Sequence, residues 1–69
     1  MAVTIYGKDS CPYTADARDH FGGRGEDVEY FNVKKNVRAL ARMLELTGGQ
    51  RRVPVIVEEG KVTIGFGGT

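Results

Sequence analysis

The chain has 69 residues, 28% of them charged and 41% hydrophobic, with a formal net charge of +1. That length makes one domain, residues 1–69, able to bury roughly 60% of the surface its unfolded chain exposes, and its interspersed charges give no electrostatic case for nucleic acid or an anionic membrane. One cysteine excludes an internal disulfide or a cysteine-rich metal site and points to a reducing compartment, the cytoplasm, while no signal-peptide pattern and no run of ~20 apolar residues argues for export or a membrane span.

Val3-Thr4-Ile5-Tyr6, a β-branched and aromatic run ended by Gly7, predicts a buried strand. Pro12 to about Phe21 predicts a helix, with Ala15, Ala17 and Phe21 available for packing and Gly22-Gly23 as its stop. Glu26-Asp27 reads as a turn and Val28 to Phe31 as a second strand. Asn36 is the natural N-cap of a second helix. Its apolar stripe is Val37, Leu40, Ala41 and Leu44, with Arg38, Arg42 and Glu45 opposite and Gly48-Gly49 closing it. Met43 reads as packing. Val53 to Val57 predicts a third strand entered through Pro54, Glu59-Gly60 a turn, and Lys61 to Ile64 a fourth strand hairpinned to the third. Gly65-Phe66-Gly67-Gly68-Thr69 follows. The order β-α-β-α-β-β implies an α/β domain whose first strand pair is parallel and whose last is antiparallel, in one four-stranded mixed sheet.

The chemistry concentrates at Cys11, in Lys8-Asp9-Ser10-Cys11-Pro12-Tyr13-Thr14. A strand delivers this sulfur to the sheet edge, and the helix opening at Pro12 aims its unpaired N–H groups and positive dipole end at it. Those donors favour thiolate over thiol, and thiolate is the nucleophile. Proline suits the first helical turn, where its missing N–H has no use. Lys8 adds a cation upstream. His20 lies two and a half turns along the helix, too far for a catalytic base, and Asp16 and Asp19 read as solvated acids.

Cys11-Pro12-Tyr13-Thr14, Val53-Pro54 and the closing Gly65-Phe66, in that order and spacing, resemble the glutaredoxin family of the thioredoxin fold, over residues 3 to 66. Within it the chain is similar to a small group whose members often carry selenocysteine at the position of Cys11. The resemblance implies thiol–disulfide exchange with glutathione or protein disulfides. Thr14 stands where many relatives hold a second cysteine, so an external thiol resolves the mixed disulfide, a monothiol mechanism. The Thr14 hydroxyl is expected to bond the Cys11 sulfur. The resemblance also implies a cis Val53-Pro54 bond that presents the Val53 backbone to glutathione or an extended peptide. Lys8 and Tyr13 match a family lysine and tyrosine beside the sulfur. Arg51 or Arg52 is expected to supply a second cation, Arg52 being the residue adjoining Val53. The γ-glutamyl end of glutathione would lie on Gly65, Phe66 and Gly67, although glycine replaces the family's aspartate at position 67.

Two other chemistries use the same cysteine. A [2Fe–2S] cluster held between two subunits is one, although Pro12 and Tyr13 replace the glycine-containing motif of cluster-binding relatives. A thiol peroxidase passing through a sulfenic acid without glutathione is the other. The leading expectation carries no metal. The family's C-terminal helix has no counterpart after the fourth strand, so one stretch of sheet face is expected to lie bare and to offer a homodimer surface.

Overall fold

The computed structural model describes residues 2–69. Six elements follow in the expected order: β1 (Ala2–Gly7), α1 (Pro12–Gly23), β2 (Asp27–Asn32), α2 (Val37–Thr47), β3 (Val55–Glu58) and β4 (Lys61–Ile64). The sheet order is β2-β1-β3-β4. β1 runs parallel to β2 and antiparallel to β3, and β3 and β4 form an antiparallel hairpin. This is the thioredoxin-like α/β architecture, with no further helix after β4 among the described residues.

Strand alternation divides the core into two layers. Ile5 lies beside Tyr30 on β2 and Ile56 on β3, and Ile56 in turn beside Thr63 on β4. That row faces α1, whose Ala17 and Phe21 bury Val3, Ile5 and Ile56. Tyr6 lies beside Phe31 and Val55 on the opposite face. There Ala39 and Met43 of α2 pack with Tyr6, Val33, Val53, Val55 and Cys11. Burying a side chain such as Ile5 or Met43 is worth about 1.5–3 kcal/mol, a large fraction of the stability of so short a chain.

α1 runs through Gly22 and Gly23 instead of stopping there. Each glycine costs a helix about 1 kcal/mol relative to alanine, but burial of Phe21 fixes the last turn. The reversal comes at Gly25, where φ is +77°. Only Ala17 and Phe21 of the expected packing residues are buried; Ala15 faces solvent.

α2 begins as expected at Asn36, whose side-chain oxygen accepts from the N–H groups of Arg38 and Ala39 at 3.1 and 3.0 Å. Its buried face differs from the expected stripe. Ala39, Met43 and Thr47 point inward, with Leu40 and Leu44 flanking, whereas Val37 is 77% exposed and Ala41 lies outside. Apolar residues surround much of this helix, so hydropathy alone supports two phases. Thr47 joins the buried row because its hydroxyl donates to the Met43 carbonyl at 2.9 Å and accepts from the Gln50 N–H at 3.1 Å. A satisfied hydroxyl is cheap to bury.

β3 starts at Val55, two residues later than expected, because Val53-Pro54 forms a cis bend ahead of it. The hairpin turn has φ of 48° at Glu59 and 82° at Gly60, the two positive values of a two-residue type I′ connection.

The sheet face expected to lie bare beside α1 is exposed at its outer, β4 edge. Phe66 folds onto this layer, leaving Ile56 only 3% exposed, and the outer β4 positions on the same face are Lys61 and Thr63. The large hydrophobics exposed among the described residues are Tyr13 and Val37, so this face offers a second copy polar side chains.

Candidate functional site

Cys11 is the N-cap of α1, with extended backbone at φ −90° and ψ 116°. An N-cap side chain ordinarily accepts from the N–H groups two and three positions later. Here those groups belong to Tyr13 and Thr14, and the Cys11 side chain makes no cap hydrogen bond of ordinary geometry to either. Cys11 itself is held by its N–H donating to the Lys8 carbonyl at 3.2 Å, and its carbonyl opens the helical ladder to Ala15.

The electrostatics follow from this placement. Burial pushes the Cys11 thiol up, but the Thr14 hydroxyl, the backbone N–H groups of Thr14 and Tyr13 and the charge of Lys8 together outweigh it, so the pKa lies below that of an ordinary thiol. Thr14 is 1% exposed, and its Oγ makes no hydrogen bond of ordinary geometry to any described group. A neutral thiol is a weak acceptor. A thiolate would give this buried hydroxyl the strong partner it lacks. Thr14 is pressed against Gly7: a Cβ at that glycine would fall 2.7 Å from Thr14 Oγ. Only glycine lets β1 end this close to the first turn of α1.

The sulfur is more covered than a freely accessible nucleophile. Cys11 is 5% exposed and packs in the layer that contains Tyr6, Val33 and Val53. Val53 flanks it from the other side of the site, and the Val53-Pro54 peptide bond is cis, as expected. Among the described residues, the Val53 N–H and C=O have no hydrogen-bond partner. The Pro54 carbonyl is occupied, accepting the Gly65 N–H at 2.7 Å.

That bond brings the segment after β4 back to the site. The Tyr13 ring lies on the backbone of Gly68, where a Cβ would meet it at 2.6 Å. The Gly65–Gly68 turn thus meets both the Val53-Pro54 bend and Tyr13, and Val53 packs in the same cluster as Cys11. Phe66 is the exception. Its ring turns away toward His20 at 5.1 Å and Phe21 at 6.1 Å and belongs to the α1 layer. Of the two candidate arginines, Arg51 and not Arg52 joins Lys8 and Val53 around a groove of about 350 Å³. Arg52 is exposed beyond it.

One group escaped the sequence reading. The Tyr30 hydroxyl donates to Asp9 at 2.8 Å, Lys35 approaches the same carboxylate at 3.8 Å, and the Arg18 guanidinium stacks over the Tyr30 ring at 4.0 Å. Burial, then the Asp9 hydrogen bond, pushes the Tyr30 hydroxyl up to about 12, and that bond is also what chiefly holds Asp9 below the usual carboxylate range. The network ties the Lys8–Ser10 loop to β2. Its only signal in the sequence is the register that puts Tyr30 beside Ile5 on the α1 face.

Among the described residues no three His, Cys, Asp or Glu side chains converge on a point that could hold a metal ion, and no helix is long and apolar enough to cross a membrane.

Comparison with known proteins agrees with this geometry. No curated protein matches the sequence significantly. Among solved structures, the glutaredoxin-like NrdH-redoxin of Escherichia coli, described by its thioredoxin-like activity profile, superposes with a TM-score of 0.81 at 27% identity, over 96% of this chain and 84% of that one. The thioredoxin-like protein BC3987 gives 0.84 at 26% identity over 93% and 86% of the two chains. A buckwheat glutaredoxin in complex with glutathione shares the fold, with a TM-score of 0.74 at 24% identity over 91% of this chain and 59% of that one. The profile of the family described as Glutaredoxin matches residues 3–63. The chain belongs to the glutaredoxin family, of thiol–disulfide oxidoreductase fold and with Cys11 as its single active-site cysteine.

Proposed function

We propose that this protein reduces disulfides by a monothiol mechanism with Cys11 as nucleophile and glutathione as cosubstrate, in a reducing compartment such as the cytoplasm. The observation that carries the reading is the sulfur at the N-cap of α1, held below the ordinary thiol pKa despite its burial.

The Cys11 thiolate attacks one sulfur of a substrate disulfide. That S–S bond breaks, a Cys11–substrate disulfide forms, and the second substrate sulfur departs as a thiolate. A glutathione thiolate then attacks the Cys11 sulfur and frees the fully reduced substrate. A second glutathione takes the first off Cys11, so two thiols become one disulfide for each substrate reduced. Thr14 cannot resolve the first adduct, which makes the external thiol obligatory.

Lys8 and Arg51, which line one groove, would receive the glycine carboxylate of glutathione, and the unpartnered Val53 backbone would pair with its cysteinyl unit as a short strand. Gly65 and Gly67, with φ of +90° and +76°, shape the turn that would meet the γ-glutamyl end. Without an aspartate at position 67, that end is held by backbone alone, and affinity for glutathione falls short of that of relatives that keep the carboxylate. The tetrapeptide Cys11-Pro12-Tyr13-Thr14 supports membership of the small monothiol group.

The test is the rate of Cys11 alkylation against pH, with and without glutathione disulfide pretreatment. A midpoint below that of a free thiol, and a single glutathione adduct by mass that blocks alkylation, support the reading. An ordinary or raised midpoint overturns it.

A further inference from the structure

The groove whose apolar lining, Val33, Met43 and Val53, packs in the same cluster as Cys11 is more cationic than glutathione needs. Lys8, Lys34 and Arg51 line it, and its floor is formed by Leu40 and Met43 of α2 together with Val53. None of the three cations has a carboxylate within 4 Å among the described residues; the neighbouring Lys35 is the one that pairs, with Asp9. No acidic residue lines the groove. Glutathione has two carboxylates. Its γ-glutamyl end belongs at the Gly65–Gly67 turn, which leaves one carboxylate for three cations and only a glycine to set against the apolar floor. Clustered like charges left unpaired raise the local potential and favour an anionic partner.

We infer that the preferred substrate is a protein disulfide lying in an acidic segment, with an aliphatic or aromatic side chain next to the attacked cysteine. The apolar side chain covers the half-buried Leu40, beneath which Met43 is buried, while the acidic residues meet Lys34 and Arg51. Extended backbone beside Val53 would hold the segment in register with the Cys11 sulfur. This rests on Cys11 being the nucleophile proposed above, and it adds the substrate class to that proposal.

Two peptides of equal length test it, each with one cysteine bonded to thionitrobenzoate. One flanks the cysteine with Glu and Leu, the other with Lys and Ser; the glutathione–thionitrobenzoate disulfide is the third probe. Attack on the peptide sulfur forms the Cys11–peptide disulfide and releases coloured thionitrobenzoate. Each rate constant is divided by that of the same probe with mercaptoethanol, which removes intrinsic reactivity. The acidic peptide should react about tenfold faster than the basic one at low ionic strength, and faster than the glutathione probe, with the preference shrinking in high salt. Lys34→Glu, which leaves Lys8 and Arg51 in the groove, should shrink the charge preference. Leu40→Ser should slow the acidic, leucine-bearing peptide while leaving the order of the two peptides intact. Equal normalised rates for the two peptides, or a glutathione probe faster than both, would overturn the inference. Release from Cys11→Ser as fast as from the unaltered protein would overturn the nucleophile itself, a distinct failure.

Discussion

The two faces of the sheet do different work. On the α1 side, Val3, Ile5 and Ile56 are closed over by Ala17, Phe21 and Phe66, with Val28 and Tyr30 packed against them. On the α2 side, the packing of Tyr6, Met43 and Val55 includes a reactive sulfur and opens into a groove rimmed by lysine and arginine. One layer supplies stability and the other trades some of it for chemistry. Cys11 sits where they meet, at the start of the helix that belongs to the first layer and with its sulfur in the second.

The largest expected effects test the division directly. Ile5→Ala removes a fully buried side chain from the sealed layer and should cost about 2–5 kcal/mol. Met43→Ala should cost a similar amount from the open layer. Denaturant midpoints measure both losses. The faces separate in the surviving folded fraction: Ile5→Ala should keep the normal Cys11 alkylation midpoint, whereas Met43→Ala enlarges the groove floor and should alter peptide selectivity.

Thr14→Val comes next. It replaces a buried hydroxyl that has no ordinary hydrogen bond by a methyl of the same shape, which should raise stability by about 1 kcal/mol at acidic pH. The same change removes the side-chain donor that lowers the Cys11 pKa, so alkylation at neutral pH should slow several-fold. A variant that gains stability and loses reactivity together would locate the trade at this one oxygen.

A smaller effect is the dependence of stability on pH. Because the folded pKa of Cys11 is depressed, its ionisation stabilises the fold fully above the unfolded thiol pKa, and this contribution is lost as pH falls through the folded value. The stability difference between the reduced protein and Cys11→Ser should therefore grow in favour of the cysteine form as pH rises between those two values. Smallest of all, Val37→Ser on the outer side of α2 should change stability by less than about 0.5 kcal/mol. A loss comparable to that of Met43→Ala would reverse the assigned phase of the helix.

The order of elements was legible because punctuation and pattern agree: Gly7 after a β-branched run, Asn36 before a helix, Gly60 in a hairpin. Cys11 was legible because proline follows it at a helix start. The inward face of α2 was not, since Val37, Ala39, Leu40, Ala41, Met43 and Leu44 offer two overlapping stripes and the choice is made by contact with the sheet. Nor was the fate of Phe66, whose ring is claimed by His20 and Phe21 across the sheet layer. The Tyr30–Asp9 contact joins residues 21 positions apart, and no local signal announces it. Such features depend on which chains of atoms meet in space, and a single sequence displays only neighbours along the backbone.

The position of Cys11 at the N-cap has a consequence for release as well as attack. As an anion the sulfur is favoured by the Tyr13 and Thr14 N–H groups at the start of α1. Bonded to a second sulfur it would be neutral and a much poorer acceptor, and that stabilisation would be lost. On the proposed mechanism, expelling Cys11 from the adduct would restore it, so the donors that favour the nucleophile also favour it as a leaving group. On that mechanism the helix would disfavour the covalent intermediate relative to the free thiolate on either side of it, and the protein would hand its cargo on instead of storing it.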